Sequence, residues 1–359
     1  MKETSKISLN EYLMLLSLGL MPPLLKLIPS QEAMLAGTAG WLAPLMALGP
    51  VLAGIALIAA VGKRLPENAG LGEAFCLWLG EGVGRVLCVV YGVWLLMLAS
   101  IALRFCAERF TSTIYPETGM GLFFLVILGL EWYLGRRKLA VTARAAQIFF
   151  YMMLTTLGVV LLLGISSVKS YNIAPVWVED VPKLVQASVP LNGAMSVAVG
   201  WLFLFGEVTE RQKGGKRALI WGVWMILAMT ALGFVVMGVF GKAMVVRLQI
   251  PFFSLSKEVR IGSAVQRVEP LVVTMWVFAD VISTALLLRS AERAFGCAFG
   301  LSGRLNGALL AVVLPGAYLC AGSFFGLDRL YQALFVPGEV VLFLAVPLVA
   351  ALLGRLRGK

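Results

Sequence analysis

Apolar runs about twenty residues long recur ten times along this 359-residue chain, and that recurrence limits its possible folds more than any single motif does. A helix needs roughly 20 largely apolar residues to cross the hydrocarbon core of a bilayer. The windows that meet or nearly meet that length are 9–28, 41–61, 84–106, 119–135, 142–165, 188–206, 217–241, 268–289, 304–323 and 333–354. Hydrophobic residues make up 60% of the chain and charged residues 14%, with a mean hydropathy of +0.91, which is too apolar for a water-soluble fold of this length. The sequence predicts an all-α integral membrane protein with ten transmembrane helices, all in one transmembrane domain.

Two of these runs are poor continuous spans. Ser188 to Glu207 (SVPLNGAMSVAVGWLFLFGE) is interrupted by Pro190, Gly193 and Gly200 and ends on Glu207, so it reads as a helix that breaks partway across. Leu9 to Pro29 has the same flaw, with Gly19, Pro22 and Pro23 at mid-depth. Weak segments in corresponding positions of two halves point to a transporter-like binding site, because unwound backbone frees amide and carbonyl groups for a polar ligand. The competing reading is a pair of ordinary Pro-kinked helices, since Gly and Pro are common in membrane spans.

The net charge of +11 lies in short basic runs between apolar segments. The positive-inside rule produces that distribution, so a nucleic-acid partner is not expected. If both termini are cytoplasmic, 19 Lys and Arg residues fall inside and 11 opposite, five of the latter in the loop 242–269. The opposite group includes Lys26, Arg104 and Arg109. This bias favours an even number of spans. The chain has no His, which removes the commonest metal ligand and the usual proton shuttle near neutral pH. Cys76, Cys88, Cys106, Cys297 and Cys320 lack CxxC spacing and read as small buried hydrophobes, indicating neither a disulfide framework nor a metal site. The apolar run after Lys2 and Lys6 is a poor cleavable signal, because Gly19, Pro22 and Pro23 lie inside it. Glu131, near the end of the short fourth span, reads either as an interfacial residue beside Arg136 and Arg137 or as a functional one.

Lys169 to Gln186 is polar and Pro-punctuated, with Trp177 and Val178 placed for an outer interfacial segment. In the loop 242–269, IPFFSLSKEVRIGSAVQRVE suggests a short amphipathic helix lying on the membrane or over the mouth of a site. The cluster Arg136 to Arg144 reads as a topology determinant, with anionic lipid or a partner as further contacts.

The order of short motifs resembles the B subunits of endospore germinant receptors, the spore germination permease family within the amino acid/polyamine/organocation transporter superfamily. The resemblance is carried by Ile7-Ser8 at the first span, Gly40-Trp41 at the second and Thr142-Ala143-Arg144 at the fifth. It continues with Tyr171-Asn172-Ile173-Ala174-Pro175, Ile250-Pro251, and Arg267-Val268-Glu269 followed by Trp276. Glu11 stands where the family commonly has Gln, and Gly40 where an Asp often precedes the Trp. The resemblance implies a LeuT-like fold of two inverted five-helix repeats, here 1–165 and 166–359, with helices 1 and 6 broken at the substrate site. It also implies a spore inner-membrane location, A and C partner subunits, and sensing of small nutrients, chiefly amino acids.

Catalysis is not expected: the chain has no Gly-rich phosphate loop, no clustered metal ligands and no nucleophile motif on a polar loop, and it calls for no cofactor. Half-helix N-termini suit a carboxylate and freed carbonyls an ammonium group. The expected backbone contacts are Gly19-Leu20-Met21 and Val199-Gly200-Trp201, with Trp201 or Phe203 as a wall unless these aromatics only pack. Helices 3 and 8 face the site in such a fold. Leu98 and Ala102 then shape an aliphatic pocket, and Thr274, Ser283 and Thr284 offer hydroxyls, though such hydroxyls often bond their own helix. Asp280, mid-span in VFADVIST, should face the interior, water or a substrate amine. Glu339 reads as closer to the outer interface. Three functions stay open: a nutrient-sensing receptor subunit, a proton- or cation-coupled transporter of an amino acid or amine, and a ligand-gated water or ion pore.

Overall fold

Ser8 begins the first helix by a reciprocal pair of bonds: its hydroxyl accepts from the Glu11 amide at 3.2 Å, and its own amide donates to the Glu11 carboxylate at 2.7 Å. A Glu or a Gln serves equally in this capping box, so the family departure at position 11 leaves the chemistry intact. In the computed structural model, which describes residues 6–62, 65–66, 68–113, 117–210, 214–258, 269–301, 305–320 and 324–357, this helix, α1, runs unbroken over Leu9–Ala36. The expected break at Gly19 is thus corrected. Pro22 and Pro23 lie inside a continuous helix, where they remove the amides that would have bonded the Leu18 and Gly19 carbonyls.

The chain continues through a 3₁₀ turn at Gly37–Leu42 into α2 (Ala43–Gly62), the short α3 (Leu71–Leu79) and the long α4 (Glu81–Thr113). Gly80, at φ +91°, makes the sharp reversal that folds α3 back along α4. Then follow α5 (Met120–Gly135), α6 (Leu139–Ile165), α7 (Val181–Ala187) and α8 (Val189–Gly200). From Trp201 to Glu207 the helix tightens to 3₁₀ geometry. After α9 (Gly215–Phe240) come the short α10 (Lys242–Val245) and α11 (Pro251–Glu258), then α12 (Glu269–Phe299) and α13 (Asn306–Leu319).

The last helical stretch, Phe324 to Leu356, is built of α14 (Phe324–Leu330), α15 (Val336–Glu339) and α16 (Val346–Leu356), joined by π-helical turns at Tyr331–Phe335 and Val340–Ala345. Pro337 and Pro347 account for the widening. Each withdraws the donor to a carbonyl four residues earlier, at Ala333 and Phe343, and both carbonyls lie in the π turns.

Among the described residues, seven helical stretches are long and apolar enough to cross a membrane, and Met120–Gly135 and Asn306–Leu319 are shorter apolar helices. The only β pairing among these residues is a single bridge between Ile7 and Val208. The centre of the bundle is formed by α1, α4, α8 and α12, with α12 packed most extensively on α4 and touching both α1 and the Trp201–Glu207 turn. Lipid-facing side chains such as Leu125, Ile148, Leu162 and Trp224 stay exposed, as a bilayer solvent allows.

In the loop 242–269, α11 buries Phe252, Phe253 and Leu255 against α1, α6, α9 and α12, so its apolar face belongs to the protein body and not to the membrane surface. Trp177 and Val178 are exposed on the segment leading to α7, where an interfacial role placed them. Glu131, by contrast, is buried with neither carboxylate oxygen bonded.

Candidate functional site

Where α1 carries its prolines, a cavity of about 60 Å³ opens between five elements. By the measure that one water occupies roughly 10–15 Å³, it holds about four or five waters, or a very small organic molecule. Gly19, Leu20, Pro22, Pro23 and Lys26 of α1 form one wall. Opposite stand Leu98, Ala102, Phe105 and Arg109 of α4 and Asp280, Ser283 and Leu287 of α12. Val197 and Trp201 close one end, and Tyr331 with Glu339 of the last helical stretch close the other.

Acidic and basic side chains both line this small space. The Arg109 guanidinium grips both Asp280 oxygens, at 2.5 and 3.4 Å, and its plane lies 4.2 Å from the Trp276 ring centroid. Lys26, only 2% exposed, holds its ammonium 3.0 Å from the Phe105 ring centroid. The electron-rich face of an aromatic ring is a favourable neighbour for a cationic side chain, and each of these two basic groups has one. Glu339 is fully buried and accepts from the Tyr331 hydroxyl at 3.0 and 3.2 Å. Its carboxylate rests against Gly193 of α8, where an added Cβ would lie 3.3 Å from Oε2. A second buried ion pair, Arg104 with Glu108 at 2.9 Å, lies on α4 itself.

Seven of the residues singled out from the sequence meet here: Gly19, Leu20, Leu98, Ala102, Trp201, Asp280 and Ser283. The others do not. Met21 lines a separate small crevice beside Trp276, and Val199 faces apolar clefts on the far side of α8. Thr274 is exposed on α12, and the Thr284 hydroxyl bonds the Asp280 carbonyl. Phe203 packs on Tyr91, ring centroids 5.7 Å apart. Gly200 has ordinary helical angles, φ −60° and ψ −30°, and is small because a Cβ would lie 2.7 Å from the Phe343 ring. It is a packing residue, and the helix changes form one position later.

At that change the Trp201 carbonyl accepts from the Tyr12 hydroxyl at 2.9 Å, so the protein itself satisfies the acceptor. Gly19 serves the same junction: a Cβ there would lie 2.9 Å from the Trp201 ring, so its absence lets the indole lie flush on α1. The sequence reading missed Lys26, Arg109 and Tyr331, and placed Glu339 near solvent. Three charges, Arg104, Glu108 and Arg109, within one apolar helix were the available signal, because charges in a span face protein or water. The clefts beyond α8, about 100 and 200 Å³, have almost wholly apolar walls and offer little to orient a polar ligand.

The motif residues prove to be stitches. Arg289 of α12 donates to the Leu134 and Arg137 carbonyls at 2.6 and 2.8 Å and reaches the Thr142 hydroxyl at 3.4 Å. Asn172 donates to the Gly238 carbonyl at 2.9 Å, and the Trp41 indole to the Ile173 carbonyl at 3.2 Å. At Gly40 a Cβ would lie 2.5 Å from the Glu32 carbonyl oxygen, so only glycine lets the turn lie against α1. Arg267 and Val268 fall outside the described residues. A family profile described as spore germination protein matches residues 24–346, most of the chain. The chain belongs to the spore germination protein family. No curated protein matches it. In this spore germination protein Gly40, Trp41, Thr142 and Asn172 thus hold turns and loops to the bundle, while Lys26, Arg109, Asp280 and Glu339 line the cavity.

Proposed function

We propose that this chain is the membrane B subunit of a spore nutrient-germinant receptor. A small amino acid or similar nutrient binds between α1 and the α8–3₁₀ junction, and the helix shift that follows passes to A and C partner subunits in the spore inner membrane. Ten spans in two inverted repeats, 1–165 and 166–359, with cytoplasmic termini, form the frame. The seven long apolar stretches and two shorter ones support that reading.

The observation that carries the proposal is a cavity, set against the proline-bearing turn of α1, that presents acidic and basic side chains beside an aliphatic wall. A ligand carboxylate finds hydrogen-bond donors at the Lys26 end and an ammonium group finds an acceptor at Glu339, while Leu98, Ala102 and Leu287 accept a short apolar side chain. The Leu18 and Gly19 carbonyls, without partners from Pro22 and Pro23, add acceptors beside the cavity. A ligand that prefers one of two helix arrangements shifts the population between them, and no net transport is needed.

The test is thermal-shift screening of the purified protein against amino acids, repeated with Ala102→Phe, which fills the cavity. A hit should stabilise the wild type and lose its effect in the variant. Stabilisation unchanged by Ala102→Phe would place the site elsewhere. A second reading, a proton- or cation-coupled transporter of an amino acid or amine, is favoured by the two buried carboxylates Asp280 and Glu339 on the cavity wall. Substrate accumulation by this subunit alone in proteoliposomes would establish that reading over a pure sensor.

A further inference from the structure

Three of the five cysteines, distant in sequence, meet at one end of the bundle. Two carry the same local pattern: Gly72 precedes Cys76 by one helical turn on α3, and Gly84 precedes Cys88 by one turn on α4. Residues four apart share a helix face, so each glycine opens a close approach beside its own cysteine. At Gly84 a Cβ would lie 2.6 Å from the Cys76 backbone, so α3 and α4 touch almost main chain to main chain. At Gly72 a Cβ would lie 3.0 Å from the Cys297 sulfur and 3.2 Å from that of Cys88, so α12 enters the same crossing. The Cys76 and Cys297 sulfurs consequently stand 3.9 Å apart, with Cys88 buried at the same crossing.

Cys88 is buried, whereas Cys76 and Cys297 are partly accessible. Cys297 lines a polar vestibule of about 570 Å³, which also carries Glu73, Arg137, Glu207 and Arg293. Small water-borne reagents therefore reach Cys297, and a second thiol waits within a rotamer change of it.

We propose that Cys297 and Cys76 form an oxidisable dithiol, a modification site for peroxides. The Cys297 thiolate attacks one peroxide oxygen, the O–O bond breaks, and Cys297 becomes a sulfenic acid as water, or the alcohol of an organic peroxide, leaves. The Cys76 thiolate then attacks that sulfur; the S–S bond forms, the S–O bond breaks, and the oxygen departs as water. Two thiols together lose two electrons and two protons, and the peroxide accepts both. The bridge ties α3 to the far end of α12, the helix that carries Asp280 and Ser283 of the cavity.

The experiment treats the full-length protein in detergent with hydrogen peroxide, blocks remaining thiols with a maleimide and maps peptides without reduction. The expected product is a Cys76–Cys297 linked peptide, with maleimide labelling lost at both positions and restored by dithiothreitol. It should vanish in Cys76→Ser and Cys297→Ser and persist in Cys88→Ala and Cys106→Ala. Full labelling of Cys297 after peroxide, or a bridge in the wild type that omits either Cys76 or Cys297, would overturn the proposal. Because the linkage is read directly, the result stands independently of whether the cavity binds an amino acid.

Discussion

The two helices whose sequences look most alike in their flaws behave differently. In α1 the prolines remove donors, yet the helix keeps its course for 28 residues. In α8 every amide after Pro190 is present, yet the geometry tightens to 3₁₀ at Trp201. Proline frees acceptors without redirecting a helix whose sides are held by α6, α8, α9 and α12. Glycine at 19 and at 200 provides room for the rings of Trp201 and Phe343. Interruptions in a membrane span thus carry two meanings, a freed carbonyl or a close contact, and residue type distinguishes them better than position.

The comparison rests on α12, which packs on α1 and on the Trp201–Glu207 turn, so its buried ion pair gives the largest expected effect. Asp280→Ala leaves Arg109 buried without its carboxylate and should cost about 3–5 kcal/mol, seen as a large fall in Tm. A fall no greater than that of an exposed pair would mean that the brace is unimportant. Gly200→Leu forces a side chain into the Phe343 ring and should destabilise by about 1–3 kcal/mol, because overpacked cores strain. If instead stability holds and only ligand response disappears, Gly200 is a binding residue and the packing account of α8 fails. Tyr12→Phe removes the hydroxyl bonded to the Trp201 carbonyl and should cost about 1 kcal/mol. Thermal denaturation of that variant beside the wild type shows whether the 3₁₀ turn needs α1. Ser8→Ala, which undoes the cap at the start of α1, should cost about 0.5–1 kcal/mol and leave α8 untouched. Hydrogen exchange localised to the first turn of α1 checks it.

Much of the architecture was legible because a bilayer leaves few choices: every backbone polar group must be satisfied inside a helix. Asp280 and Ser283 could be placed toward the interior for the same reason, and Leu98 and Ala102 by their one-turn spacing on a helix expected to face the site. What stayed hidden depends on partners far apart in the chain. Arg109 lies 171 residues from Asp280, and charge counting assigned it, with Lys26, to the outer side. The thiols at Cys76, Cys88 and Cys297 follow no spacing rule, since glycine-mediated helix crossings and not a local motif bring them together. Glu339 looked close to water because the two π turns that flank it follow from single prolines, Pro337 and Pro347, whose consequence depends on register.

Before α1 begins, Ile7 is fastened to the strand-like exit of the Trp201–Glu207 turn: its amide donates to the Glu207 carbonyl at 3.0 Å, and its carbonyl accepts from Thr209 at 2.8 Å. These backbone links pin the two cavity-forming helices together at one end, as a rivet joins a pair of shears. With that end closed, a guest of the kind proposed above would spread the blades chiefly at their opposite tips, and that would set the direction in which its arrival is felt.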